Sequence, residues 1–481
     1  MVNTMRVCVI GTGYVGLVTG VCLAHIGHQV ICVDNNKEKI ALMQSGESPI
    51  YEPGLEEIMR STMVAGKLNF TKNINNAIAN SQILFIAVGT PALPTGDSDI
   101  RYVEAVARSI GLAISGEYKV IVNKSTVPIG SGDWVRQIIN SEIVKRQLDN
   151  IPQFDVVSNP EFLREGSAIH DTFNPDRIVI GGSSDQAISL MKELYQPIVD
   201  RKIPAIDFLG QLSPQTVPLV MTDLNSAETI KYAANSFLAT KISFINEVAN
   251  ICDKVGADIT QVAQGIGLDS RIGNKFLQSG IGWGGSCFPK DVSALIHTAA
   301  DYGYDAQLLK SAVKVNTNQR VLVIDKLQQV LKILKGKTIG LLGLTFKPNT
   351  NDLRDAPTID LIEELTRLGA KVKAYDPLIQ SIYHHPILST IDLENNAIDL
   401  AKDCDALVLV TDWQEFKSWN YTQLAKIMNN PLIIDGRNHL DIDTLAAAGF
   451  YYIGIGRRAP ENSLVAKRVQ RDAKKTITKV A

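Results

Sequence analysis

The chain has 481 residues, which at roughly 150 residues per domain is enough for about three domains and several hydrophobic cores. With 48 basic and 50 acidic residues, a net charge of −2, 45% hydrophobic and 20% charged side chains, it excludes a disordered chain, a collagen and a broadly basic nucleic-acid binder. Six cysteines, none in a Cys-x-x-Cys pair, exclude a disulfide-framed fold and a zinc finger, and fit a reducing, cytoplasmic compartment.

No Asp, Glu, Lys or Arg falls between Arg6 and Asp34, a stretch as apolar as a signal peptide or a membrane span. Its glycines divide it into a strand from Met5 to Ile10, a helix from Tyr14 to Ile26 and a strand from Gln29 to Val33, which predicts a buried βαβ unit rather than an anchor. Short apolar runs follow at Ile83 to Val88, Val120 to Val122, Asp155 to Val157 and Ile178 to Ile180, separated by helix-length spacers. That alternation predicts a doubly wound, mostly parallel sheet for a first domain over 1–212. From Asp223 to Val255 there is neither Gly nor Pro, and Leu224, Ile230, Phe237, Leu238, Ile242, Ile245 and Val248 mark one long helix opening a helical central domain over 213–325. Runs at Thr338 to Leu344, Val372 to Tyr375, Ala406 to Val410 and Leu432 to Ile434, with a helix from Ile359 to Leu368, predict a second α/β domain over 326–456. The expected fold is α/β: two Rossmann-like, doubly wound parallel-sheet domains joined by a helical domain. The tail, 457–481, sets eight Lys or Arg against two acids and reads as a solvated, poorly ordered basic end.

Gly11, Gly13 and Gly16 sit between the first strand and its helix, where missing side chains let the backbone approach a pyrophosphate and helix amides stabilise its charge. Asp34 ends the next strand, eighteen residues past Gly16, placed to accept from both ribose hydroxyls and to repel a 2′-phosphate. NAD is therefore expected over NADP. Thr90, in Gly89-Thr90-Pro91 after the strand at Ile83, is a candidate wall of the same crevice.

Cys287 follows a glycine loop and precedes Phe288-Pro289-Lys290-Asp291, a helix start that favours a thiolate, whereas Cys8, Cys22 and Cys32 sit in strand or core contexts. Asp291, one turn on, is either a base for water or an ordinary N-terminal helix acid. Glu228, Lys231 and Asn235 share a face of the long helix, and a plain surface Glu–Lys pair is the alternative reading. Glu161 and Glu165 follow Asn159-Pro160, a helix-start signal, as an acid/base pair or as acids complementing a helix dipole. Thr126, in Ser125-Thr126-Val127-Pro128, ends a strand at the ligand-binding edge or merely caps a helix.

Eight segments occur in order: GTGYVG, KSTVP, NPEFLREGSAIHD, IKYAANSF, SRIGNKF, GWGGSCFPKD, GLTFKPNTNDLRDAP and IDGRN. From Met5 to about Gly456 the chain resembles the UDP-glucose/GDP-mannose dehydrogenase family. The resemblance implies a four-electron oxidation of a sugar C6 alcohol to a carboxylate with two NAD⁺, on UDP-glucose, with GDP-mannose as the alternative substrate. It implies Cys287 as nucleophile, Lys231 and Asn235 as donors to the C6 oxygen, and Asp291, Glu161, Glu165 and Thr126 as groups that position water and relay protons. Beside the glycines, Asp34 and Thr90, it implies Tyr14, Val15, Lys39, Thr126, Glu165 and Arg354 for the cofactor. For the nucleotide sugar it adds Glu161, Phe162, Leu163, Phe276, Gly284, Lys347 and Arg437, with Arg271 contributed by a neighbouring subunit of a homodimer or larger assembly. No metal is implied. Trp283 departs from the smaller aromatic expected in its loop. A non-catalytic nucleotide-sugar sensor on the same fold would be expected to lack Cys287 or Lys231, and both are present.

Overall fold

The structure, a computed structural model, describes residues 3–210, 213–382 and 385–457. All of the basic tail but Arg457 lies outside the described residues. By contacts the chain forms two compact units, Met1–Ala234 with Ser293–Tyr304, and Asn235–Val292 with Asp305–Ala481. The division falls inside the long helix, Leu224–Val255.

The first unit is built on an eight-stranded sheet: β1 (Arg6–Ile10), β2 (Gln29–Val33), β3 (Leu68–Thr71), β4 (Ile83–Ile86), β5 (Lys119–Asn123), β6 (Phe154–Ser158), β7 (Ile178–Gly181) and β8 (Leu219–Thr222). Their order is β3-β2-β1-β4-β5-β6-β7-β8. All residues of β4 and β5 are buried, as expected of strands covered on both faces by helices. The charge-free N-terminal stretch is the predicted βαβ unit, and the helix Tyr14–His25 buries Gly16 to Ala24. A Cβ at Gly20 would stand 2.4 Å from the Cys32 sulfur, so the helix can lie this close to β2 only with glycine there.

One edge departs from a parallel sheet. β7 meets β6 antiparallel at Ser158 and Gly181, and β8 runs parallel to β7. The connection between β6 and β7 carries only a six-residue helix, Ala168–Phe173, about 9 Å long.

The second unit holds β9 (Thr338–Leu342), β10 (Lys371–Tyr375), β11 (Asp392–Leu393), β12 (Ala406–Leu409), β13 (Leu432–Asp435) and β14 (Tyr451–Ile453). They are all parallel, in the order β11-β10-β9-β12-β13-β14. This repeats the order of the first six strands of the other sheet, with the switch point between β9 and β12. Gly343 takes the place of a nucleotide-loop glycine, with φ +89°, and Asp376 after β10 accepts from the Leu344 and Thr345 amides at 2.8 and 3.2 Å.

Candidate active site

At the first sheet's carboxyl edge, Gly11 has φ +102°, and a Cβ on it would lie 2.6 Å from the Ala87 carbonyl oxygen. A Cβ on Gly16 would lie 2.0 Å from the Gly11 carbonyl oxygen, whereas one on Gly13 would meet nothing within 4 Å. The turn is thus closed behind and open in front, at a helix start that has no side-chain cap. Exposed amides over an open face are what a pyrophosphate requires. Asp34 accepts from the Thr12 amide and hydroxyl at 3.0 and 2.6 Å and from the Asn36 amide at 3.0 Å. Burial opposes its charge, but these hydrogen bonds and the Lys39 ammonium hold its carboxyl below the usual range. An ionised acid at this position fits a ribose with both hydroxyls free.

Thr90 donates its hydroxyl to the Thr126 carbonyl at 2.7 Å, joining the loops after β4 and β5. The Tyr14 hydroxyl is engaged by Glu52 and by the Gly166 amide, so it also fastens the loop after β6. Glu165 lies near it, close enough for its charge to act on the Tyr14 phenol. Val15 is half-buried on the same helix.

Lys231 is buried and holds Glu161 at 2.8 Å, with side chains 4% and 5% exposed. The second Glu161 oxygen accepts from the Leu163 amide at 2.5 Å. Phe162 stacks under the Arg177 guanidinium at 3.6 Å and presents its ring 5.6 Å from the Lys231 nitrogen. Burial works against the Glu161 charge, but Lys231, the Leu163 amide and Lys124 outweigh it and hold its carboxyl below the usual range. Lys124 donates to Asn159 at 3.1 Å, and burial brings its ammonium down to about 8.

Two expectations are corrected here. Asn159-Pro160 does not start a helix that carries Glu161 and Glu165: residues 161–164 are irregular and the helix begins at Ala168. The Glu161 side chain bonds a backbone amide two residues on, a local contact that competes with helix. Nor does Glu228 pair with Lys231 at the surface. Glu228 is buried, accepting from the Gly130 and Gly132 amides at 2.6 and 2.9 Å and from the Ser158 hydroxyl at 2.9 Å, and burial pushes its carboxyl up. It therefore binds the start of the helix Ser131–Lys145 to the long helix. Thr126, Ser158, Glu228 and Lys231 line one cleft.

In the second unit, Cys287 immediately precedes the helix Phe288–Asp301, and its carbonyl accepts from the Asp291 amide at 2.8 Å. The other five cysteines are buried, and burial raises the thiols of Cys8, Cys22 and Cys252, and those of Cys32 and Cys404 to about 12. Cys287 alone is part-exposed, at a helix N-terminus that favours a thiolate. Asp291 is 1% exposed; one oxygen accepts from Asn235 at 2.6 Å and the other from Lys290 at 2.6 Å.

The loop before Cys287 is held on all sides. The Trp283 amide donates to Asn316 at 2.7 Å, its carbonyl accepts from Asn316 at 2.9 Å, and its indole donates to Ser243 at 3.0 Å. The larger aromatic is thus an anchor. A Cβ on Gly284 would lie 2.1 Å from the Asp355 carbonyl oxygen, and one on Gly285 2.6 Å from the Phe346 ring. Arg437 donates to the Val410 and Gly282 carbonyls at 2.8 and 3.0 Å, and burial lowers its basicity. Lys347 stands 5.3 Å over the Phe346 ring, Arg354 pairs with Asp352 at 2.7 Å, and Phe276 packs 6.4 Å from Phe288. Arg271 is exposed and bonded to Asp269 at 2.6 Å. Sequence reasoning missed Arg177 and Asn316, whose only signal was polarity beside an apolar run, and gave no site role to Lys124 and Asn159, which open the KSTVP and NPEFLREGSAIHD segments.

Three models of the UDP-glucose/GDP-mannose dehydrogenase family match in sequence: the NAD binding domain at residues 5–199, the central domain at 225–318 and the UDP binding domain at 340–442. The UDP-glucose 6-dehydrogenase TuaD of Bacillus subtilis is 48% identical over 454 residues, 94% of each chain. The UDP-glucose 6-dehydrogenase of Rhizobium meliloti is 44% identical over 458 residues, 94% of this chain and 100% of that one. Among solved structures, a UDP-glucose dehydrogenase from the archaeon Pyrobaculum islandicum superposes with a TM-score of 0.85 at 34% identity, over 95% of this chain and 99% of that one. With its NAD-type cradle and part-exposed helix-start cysteine, the chain belongs to the UDP-glucose/GDP-mannose dehydrogenase family and is an NAD-dependent nucleotide-sugar dehydrogenase.

Proposed function

We propose that the chain oxidises UDP-glucose at C6 to UDP-glucuronate, holding the intermediate on Cys287. The observation that carries this reading is the placement of Cys287: a part-exposed thiol at a helix start, one turn before an Asp291 fixed by Asn235 and Lys290. NAD⁺ supplies a hydride acceptor for each of the two oxidations. The Cys287 sulfur adds to the C6 aldehyde and gives a thiohemiacetal; loss of a second hydride and of the hydroxyl proton leaves a thioester. Water then cleaves the carbon–sulfur bond, giving the carboxylate and the thiol. Lys231, held by Glu161, and Asn235, one turn along the same helix, donate to the oxygen on C6 as negative charge develops there, a contribution of about 3 kcal/mol. Thr126 and Asp291 position the hydrolytic water, with Glu161 and Glu165 in the proton path. Lys347 and Arg437 meet the diphosphate, Phe276, Gly284, Phe162 and Leu163 contribute to the nucleotide-sugar site, and Arg354 reaches the cofactor.

Relatives bearing the name UDP-glucose 6-dehydrogenase support UDP-glucose as substrate. Six free thiols fit the cytoplasm. The three family ranges support an NAD-binding, a central and a UDP-binding domain near 1–212, 213–325 and 326–456. The test is NADH released per sugar consumed, with UDP-glucose, GDP-mannose and UDP-N-acetylglucosamine offered in parallel. Two NADH on UDP-glucose alone is the expected result. Two on GDP-mannose would move the specificity, one per sugar would remove Cys287 from the chemistry, and none would leave a sensor.

A further inference from the structure

Asn123 is the last residue of β5 and is 2% exposed. Its backbone is spent on the sheet edge, where its carbonyl accepts from the Asn159 amide at 2.9 Å. Its side-chain amide is not spent: neither Nδ2 nor Oδ1 has a hydrogen-bond partner among the described residues. A dry amide at this depth is costly, and leucine would fill nearly the same volume without that cost. The residue faces the cleft lined by Ser125, Thr126, Ser158, Glu228 and Lys231. The free volume there is about 10 Å³, close to the room one water needs, and the walls offer several polar partners.

We propose that Asn123 is a positioning residue for the oxidation, its amide seating one water in the cleft against Lys231 and Thr126. The proposal rests on the reading of Lys231 as the group that faces the C6 oxygen. Glu161 fixes Lys231 from one direction, and the seated water fixes it from another. An amide carries a donor and an acceptor side by side, so the same water stays bonded whether Lys231 is ammonium or amine. A carboxylate offers acceptors only and favours the ammonium. Leucine offers neither and expels the water.

The variants Asn123→Leu and Asn123→Asp separate this role from a structural one. For Asn123→Leu the expected result is a kcat about tenfold lower, with KM for UDP-glucose and Kd for NAD⁺ within about twofold of wild type. For Asn123→Asp the expected result is a kcat–pH profile displaced upward, because a negative charge beside Lys231 holds its proton to higher pH. Wild-type kcat and an unmoved pH profile in both variants overturn the proposal; so does Asn123→Leu that melts higher with unchanged kinetics, the mark of a merely dry amide. A crystal structure of the wild-type protein supplies a readout independent of turnover. An ordered water within about 3 Å of the Asn123 amide is expected, and its absence overturns the seat. A wild type that yields no NADH with any nucleotide sugar fails the functional reading and the positioning role with it, while the water seat still stands or falls on that crystal structure.

Discussion

Burial separates the titratable groups of this protein into those that are spent and those that are available. Five cysteines lie in cores where desolvation disfavours the thiolate, and Cys287 does not. Cys287→Ser removes the sulfur without removing the helix start, so acid formation should fall below detection while NAD⁺ titrates with wild-type affinity; acid produced at the wild-type rate would rule out the thioester. Asp34→Ala should weaken NAD⁺ and erode its preference over NADP⁺, read from the two KM values, since the ribose acid is removed. Lys124 gives a pH dependence of the opposite kind to a salt bridge. Its ordinary value of 10.5 is lowered to about 8 by burial. Between those pH values the unfolded chain keeps a proton that the folded protein has released, so stability linked to this group rises with pH across that window. Lys124→Met lacks the group, so its stability relative to wild type should decline from pH 8 to pH 10.5, measured by denaturant unfolding at both.

Among the elements, the Cys287 loop depends most on backbone that other residues cannot copy. Gly285 has φ +84° and the Phe346 ring 2.6 Å from where a Cβ would stand, and its amide donates to the Arg354 carbonyl at 3.1 Å. Gly285→Val should cost roughly 1–3 kcal/mol of stability and raise KM for the nucleotide sugar with NAD⁺ affinity unchanged; an equal loss of both affinities would mean general unfolding. Strands of this fold were legible where burial is complete. β4, β5, β12 and β13 are buried at every residue; β4 and β12 read as unbroken apolar runs, and β5 and β13 as apolar runs bounded by Lys119 and Asn123 and by Asp435. The strands that escaped sequence reading, β3, β8, β11 and β14, are the four sheet edges, where one face is wet and the apolar run dissolves. The same limit hid the partners of Lys231 and Glu228. Helical spacing places side chains on a face, but Glu161, seventy residues from Lys231 in sequence, reaches it only through the sheet. Gly11, at φ +102°, and Gly16, whose Cβ would meet the Gly11 carbonyl, by contrast answer local requirements of the turn and were readable as such.

On the scale of the molecule, the long helix leaves an apolar stripe open. Phe237, Phe244, Ile251 and Val255 are 66%, 53%, 53% and 71% exposed, spaced seven, seven and four residues apart, which puts them in one line on an α-helix. A second copy of the same helix is the simplest cover for a self-complementary stripe, and this supports the homodimer as a proposal. Phe244→Asp places a charge in its middle, and sedimentation velocity should show a slower, monomeric species; an unchanged sedimentation coefficient would move the interface elsewhere. Whether the site is shared is a separate question with a sharper answer. The Arg271 side chain is 86% exposed, as a donated residue would be. Arg271→Ala and Cys287→Ser should each be inactive alone. After mixing and subunit exchange, half of the dimers are mixed, and each mixed dimer keeps one site with Cys287 from one chain and Arg271 from the other. About a quarter of wild-type activity should then return. If Arg271 serves its own chain, both sites of the mixed dimer are damaged and no activity returns.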